Sequence, residues 1–286
     1  MSKQKWYMFQ ACCQQFSGIE ADGLLKYLTE EEQKEAKDSF VSYSLSIPTA
    51  QIRKMFHRIH YSWLSELFSN FPKDKQALYL RALNSSQSKG LSSLLGTSFK
   101  QAPIPKLASE YLLGSLTLAH PLATEVQREF LEKSSFSPLL DFDKSRLVNL
   151  IDLLGIFDLA AEVKKVVEKT RLKEVYLWLN QQQQAFLKNC LRQEDVLTEE
   201  RQGIHSWTKN QKAFLHKIHL KGLARFSQAL KGESSKLVWH LTRTLDKGRG
   251  EVILKSLEKV EKSDLQSALQ KQVFSTHKFL SEYCEQ

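Results

Sequence analysis

All six prolines of this chain lie at or before Pro138, and the rest of it has none. Proline is the residue that most firmly ends a helix or empties a position in a sheet ladder. Beyond Pro138 the chain is therefore free to run as helix after helix, and its apolar residues recur at helical spacing. Leu147, Leu150, Ile151 and Leu154 share one face, as do Leu159, Val163, Val166 and Val167. Alternating β-branched runs bounded by turn dipeptides, the mark of strands, do not appear. The expected fold is all-α, a stack of short helices in two or three units resembling an armadillo-like array.

Single glycines read as the joints of this stack. Gly155 is expected to stop one helix. Gly222, Gly232 and Gly248 are expected near the joints of helices at 208–219, 221–231, 234–245, 249–258 and 263–283, where a positive φ is often needed. A hairpin is expected around Asn180, with Gln181–Gln184 as a solvated face or turn. Earlier in the chain, Leu24, Leu25 and Leu28 share a helical face. Thr29 and Glu32 have the spacing of a capping box for the next helix. Ile52, Met55, Phe56, Ile59, Trp63, Leu67 and Phe68 form a stripe read as one helix, ended at Phe71-Pro72. Pro103 and Pro105 mark a linker. The expected units are 1–96, a linker at 97–106, a middle unit at 107–200 and a last unit at 201–286.

Composition bounds the function. The 286 residues carry a net charge of +9, and 42% are hydrophobic, as in a globular protein. No apolar run is long enough to span a bilayer, and residues 1–15 lack a signal-peptide core, so a cytoplasmic location is expected. Cys12, Cys13, Cys190 and Cys284 fit no zinc spacing and read as reduced structural thiols. Charge is uneven: residues 201–286 hold 16 Lys and Arg against 8 Asp and Glu. From Lys209 to Lys255, eleven cations, among them Lys212, Lys217 and Arg225, face only Glu233, Asp246 and Glu251. Such a stretch suits an acidic protein surface or nucleic acid. It lacks any nucleic-acid reading motif, and a solvated or protein-docking face is preferred.

The residues that carry chemistry elsewhere are accounted for here by structure. Lys247-Gly248-Arg249-Gly250 lacks the spacing of a phosphate loop and a preceding strand. His57/His60 and His216/His219 have helical i, i+3 spacing, but they sit among cations that would repel a metal. Asp141 and Asp143 precede a helix and read as caps. No catalytic, cofactor or metal residue is assigned, and no enzyme or small-molecule substrate is expected.

Several stretches resemble the flagellar motor switch protein FliG, in that family's order. Leu25-Lys26-Tyr27-Leu28-Thr29-Glu30-Glu31-Glu32 is similar to its Leu-Lys-His-Leu-Ser-x-x-Glu segment. Leu80-Arg81-Ala82-Leu83 and Leu91–Leu95 resemble its next helical pair. Ala119-His120-Pro121-Leu122 keeps the His-Pro of its Glu-His-Pro-Gln site for the next ring protein. Ala229-Leu230-Lys231-Gly232, then Ser234, Leu237, Lys247, Glu251, Leu257 and Glu258, looks like its C-terminal helical domain. Val260-Glu261-Lys262-Ser263-Asp264-Leu265, with Ala268, Gln270, Lys271 and Val273, resembles the helix that follows. The acidic pair that meets the stator is missing from the aligned Asn210–Leu215.

The resemblance therefore implies a non-rotary scaffold: a flagellar or type III secretion adaptor of the SctK kind, peripheral at the cytoplasmic face of the inner membrane. It implies that Leu24, Leu28, Ile52, Met55 and Phe56 hold the cytoplasmic tail of a membrane-ring protein. His120 and Pro121 would mark the site for the next cytoplasmic ring protein, and Lys212, Lys217 and Arg225 would face an acidic surface. Self-association between copies would complete a ring. A basic helical nucleic-acid-binding protein is the alternative.

Overall fold

A computed structural model describes residues 28–33, 49–97, 104–119, 128, 131–166, 168–192, 210–259 and 265–284. Every regular element among them is helical, so the all-α expectation holds. The chain divides into two compact units, residues 1–56 with 102–125 and residues 57–101 with 126–286.

In the first unit, Thr29 and Glu32 form the expected capping box. The Thr29 N–H donates to the Glu32 carboxylate at 3.0 Å and the Glu32 N–H to Thr29 Oγ1 at 3.4 Å. Helix α1 covers Thr49–Arg58. It ends before Ile59 and His60, so the stripe from Ile52 to Phe68 is two helices rather than one. Helix α5 (Lys106–Ala119) buries Leu112, Leu113 and Leu116 and exposes Leu107 and Tyr111.

The second unit begins with three short helices, α2 (Tyr61–Ser69), α3 (Lys73–Leu80) and α4 (Ser85–Leu95). Two more triplets follow: α6 (Lys144–Val163), α7 (Lys169–Trp178) and α8 (Gln181–Cys190), then α9 (Gln211–Ala229), α10 (Ser235–Thr244) and α11 (Lys247–Lys259). In each triplet the first helix packs on the third. Each third helix starts the same way, with a buried leucine and then a capping residue. Leu83 precedes Asn84, Leu179 precedes Asn180, and Leu245 precedes Asp246. The cap oxygens accept the N–H of Gln87 at 2.8 Å, of Gln183 at 2.8 Å and of Arg249 at 3.2 Å. The leucine anchors the joint and the cap satisfies an otherwise unpaired helix-end amide. Helix α12 (Gln266–Cys284) lies against both α6 and α9.

The sequence boundary near residue 200 does not divide the core. Leu147, Leu150 and Leu154 share one buried cluster with Phe214, Leu223, Phe226, Leu241 and Val273. Two glycines explain how. Gly155 lies inside the twenty-residue α6 rather than stopping it, and Gly222 lies inside α9 rather than at a joint. A Cβ on Gly155 would strike the Ile218 carbonyl, and one on Gly222 would strike the Ile151 carbonyl. The two helices therefore run parallel with their backbones touching, which only glycine allows. Gly232 is the joint that sequence reading expected, at φ 82°. Gly248 also lies next to a joint, as the second residue of α11, but without a positive φ.

Candidate functional site

Four positions flank the glycine crossing at equal steps. Asp152 and Asp158 stand three residues before and after Gly155, and His219 and Arg225 stand likewise around Gly222. At helical spacing all of these share the contact face, so each carboxylate meets the residue 67 positions on. Asp158 takes Arg225 in a fork, at 2.6 Å from Nε and 2.8 Å from Nη2, and Arg225 Nη1 donates to Gln272 at 2.6 Å. Arg225 is 1% exposed. The basic stretch and the resemblance place it on an outward face toward an acidic surface. It is instead an internal strut, because a guanidinium three residues from a crossing glycine has nowhere to point but the neighbouring helix. The nearby Cys190 thiol is pushed up to about 12, mainly by burial, which makes it a poor nucleophile.

The other pair opens into a larger polar cluster. His219 Nδ1 lies 2.6 Å from Asp152, and Arg249 Nε donates to His219 Nε2 at 2.8 Å. Arg249 also grips Asp246, the cap of its own helix, and Lys144 lies 3.5 Å from the same carboxylate. On its far side Lys144 Nζ donates to His60 Nε2 at 2.9 Å, and His60 Nδ1 lies 2.8 Å from Ser62 Oγ. His219 thus turns Nε2 to a cation, which requires a lone pair there and places the ring proton on Nδ1, toward Asp152. His60 accepts from Lys144 at Nε2 and from the Ser62 N–H at Nδ1, at 3.3 Å, as the cap of α2. Burial pulls His60 down to about 4, and Lys144 adds to the fall while Asp246 opposes it. Burial pushes Asp246 up, but the Arg249 N–H, its guanidinium and Lys144 outweigh this and hold the carboxyl below its usual range.

Two clefts share Lys144 and Ser145 in their walls. One, of about 370 Å³, is lined also by His57, Arg58, His60, Asn84, Gln87 and Asp143. The other, of about 410 Å³, is lined also by Asn149, Asp152, Asn180, Gln183 and Arg249. The starts of α2, α4, α6, α8 and α11 all meet around Lys144. Their caps already occupy many of the helix-end amides, and Asp143 and Asp152 offset the cations. The cluster holds the starts of several helices together, and burial keeps the His60 imidazole neutral. Among the described residues no group of three or more His, Cys, Asp or Glu could hold a metal ion. No described helix is long and apolar enough to cross a membrane.

The residues singled out from sequence scatter. Leu24, His120 and Pro121 lie outside the described residues, as does Lys209. Leu28 and Met55 are half-buried, Phe56 is fully buried, and Ile52 lies on α1. Lys212 is exposed at the start of α9. Lys217 is half-buried, and burial, with the neighbouring Lys221, lowers its basicity against the pull of Glu162. The eleven cations do not share one outward face. Arg225 and Arg249 bond inward, Lys231 donates to the Leu257 carbonyl, Lys247 pairs with Glu66 at 3.2 Å, and Arg243 stacks on Trp63 at 3.6 Å.

The cluster of His60, Lys144, Asp152, His219, Asp246 and Arg249 was not found from sequence. One signal for part of it was present. Ile151-Asp152-Leu153-Leu154-Gly155 and Ile218-His219-Leu220-Lys221-Gly222 share a pattern that pairs Asp152 with His219 once the two glycines are aligned. Comparison with known protein families, with characterised proteins and with solved structures finds no match.

Proposed function

We propose that this chain is a non-enzymatic structural adaptor of a flagellar or type III secretion cytoplasmic ring, joining an inner-membrane ring protein to the next cytoplasmic component. The observation that carries this reading is the ordered run of FliG-like stretches from Leu25 to Val273. Their placement supports it. The Ala-Leu-Lys-Gly stretch forms a tight turn at Gly232 with φ 82°, where glycine is favoured over any other residue. The Leu-Lys-Tyr-Leu-Thr-Glu-Glu-Glu stretch runs into a capping box at Thr29 and Glu32. Leu80 and Leu83 sit in the core of α2–α4. Three triplets of the same order also suit a protein whose work is to present helical surfaces.

Partner contacts are then assigned to what remains outward: Lys212 and Lys217 toward an acidic surface, and Met55 and Leu28 toward a docked tail. Arg225 leaves that set. A tagged full-length chain, recovered from its host, should carry a membrane-ring protein and a cytoplasmic ring protein. Lys212→Glu combined with Lys217→Glu should lose one of them while the helical circular dichroism signal is unchanged. Capture of neither ring protein, or retention by duplex or single-stranded nucleic acid that falls steeply with salt, would overturn the adaptor reading.

A further inference from the structure

The second unit holds two cores. The continuous buried cluster spans Phe136 to Leu280 and includes nothing from 57–97. Ile59, Leu64, Phe68, Leu80, Leu83 and Leu91, from α2–α4 and the turns around them, are buried outside that cluster. The backbones of α2 and α4 pack closely, whereas none of these helices packs comparably on a described helix of the body formed by residues 131–284.

A patch on the α10–α11 joint joins them. Trp63 Nε1 donates to the Leu245 carbonyl at 2.9 Å, and its indole sits in the notch left by Gly250, where a Cβ would strike the ring. The His60 N–H donates to the Arg243 carbonyl at 2.8 Å. The Lys247 N–H donates to Ser62 Oγ at 2.8 Å. His60 itself rests on Lys144. Lys247 Nζ also pairs with Glu66 at this patch, and away from it the Leu140 carbonyl accepts from Arg58 at 3.0 Å.

We propose that residues 57–97 are a latch: a separately cored helical group held to the 131–284 body by one catch, Trp63 in the Gly250 notch with His60 on Lys144, which acid releases while both cores stay folded. The charge arrangement gives the direction. His60 faces Lys144 from α6, Asp246 and Arg249 from the start of α11, and Tyr61 on its own helix. Arg58, Asp141 and Asp143 line the adjoining cleft. Asp246, the acid that acts on the ring, already serves Arg249 and Lys144. A proton on Nε2 would displace the Lys144 bond and set two cations against each other. Opening the catch instead returns the ring to water, where it protonates freely. Burial and Lys144 hold the docked ring down at about 4, which agrees with that direction. Sub-global opening of this kind is a recognised behaviour of packed helical groups.

Hydrogen exchange on the full-length chain tests the latch. At neutral pH, amides in 60–69 and in 147–159 and 214–226 should all be protected. At about pH 4.5, with each rate divided by the intrinsic rate at its own pH, the protection of amides 60–69 should fall at least about 10-fold, with that of 147–159 and 214–226 unchanged. Gly250→Ala should produce the same pattern at neutral pH. Alanine favours α11 by about 1 kcal/mol over glycine, so loss of docking there is not loss of the helix. Trp63→Leu is the second variant and should act alike. The latch is wrong if both regions gain exchange together in acid, or if both variants leave 60–69 as protected as in the parent chain.

Discussion

The α6–α9 crossing and the α2–α11 seam both depend on a glycine, yet they are different kinds of join. At the crossing, Gly155 and Gly222 let two backbones touch inside one continuous core, and a buried fork, Arg225 on Asp158, locks the register. At the seam, Gly250 makes room for a half-buried indole on which Arg243 stacks, and the remaining contacts are single hydrogen bonds and the exposed Lys247–Glu66 pair. The first kind of join fails only with the fold. The second can fail alone.

Breaking the crossing should have the largest effect. Gly222→Ala drives a methyl into the Ile151 carbonyl, which belongs to a helix that cannot shift without moving the core. Overpacking of this kind costs about 1–3 kcal/mol in yielding sites. Here the expected loss is at or above the top of that range, read as a lower urea midpoint or as failure to fold. Next comes Arg225→Met, which strands the Asp158 carboxylate in the interior at a cost of about 3–5 kcal/mol. Adding Asp158→Leu should recover most of it, since two apolar residues can replace a buried ion pair. If the double variant is no more stable than the single one, the fork is not what Asp158 needs.

Breaking the seam should cost less. Trp63→Ala should lose about 1–3 kcal/mol, with the helical signal of the body intact. Acid sharpens the contrast further. His60 is held below its ordinary value, so its contribution is full above about pH 6.5 and is lost as pH falls toward about 4. Asp246, held low, acts in the same direction. His60→Asn should therefore flatten the pH dependence of stability over that window, measured by urea unfolding at successive pH values. The smallest effect is expected at Gly96, which has open space around it but a φ of 60°. Gly96→Ala should cost about 1 kcal/mol, from backbone strain alone.

Much of the local structure was legible. The caps at Thr29 and Asp143 were readable because a cap acts within three residues of itself, whereas Asp141, also read as a cap, pairs with Arg128 instead. The stripe at Leu147, Leu150, Ile151 and Leu154 named real core residues. Its end did not. Gly155 and Gly222 look like breaks in any window of the chain, because glycine weakens a helix wherever it occurs. What reverses that meaning is a second helix, which a window does not contain. The candidate site was less legible still. Arg225 reads as one of eleven cations in a basic stretch, and only Asp158, 67 residues earlier, tells that it points inward. His60, Lys144, Asp246 and Arg249 come from three separate parts of the chain, and no spacing rule connects them.

The sequence by itself determined that this protein is helical, where most of its helices begin, and which apolar residues they bury. Those properties depend on residues within a turn or two of each other. The tertiary structure alone decided what the polar and small residues are for. A glycine is a joint or a crossing, and an arginine a surface charge or a strut, according to what lies across from it. Here the opposite side is supplied by chain far removed in sequence: Ile151 for Gly222, Asp158 for Arg225, and Trp63 for Gly250.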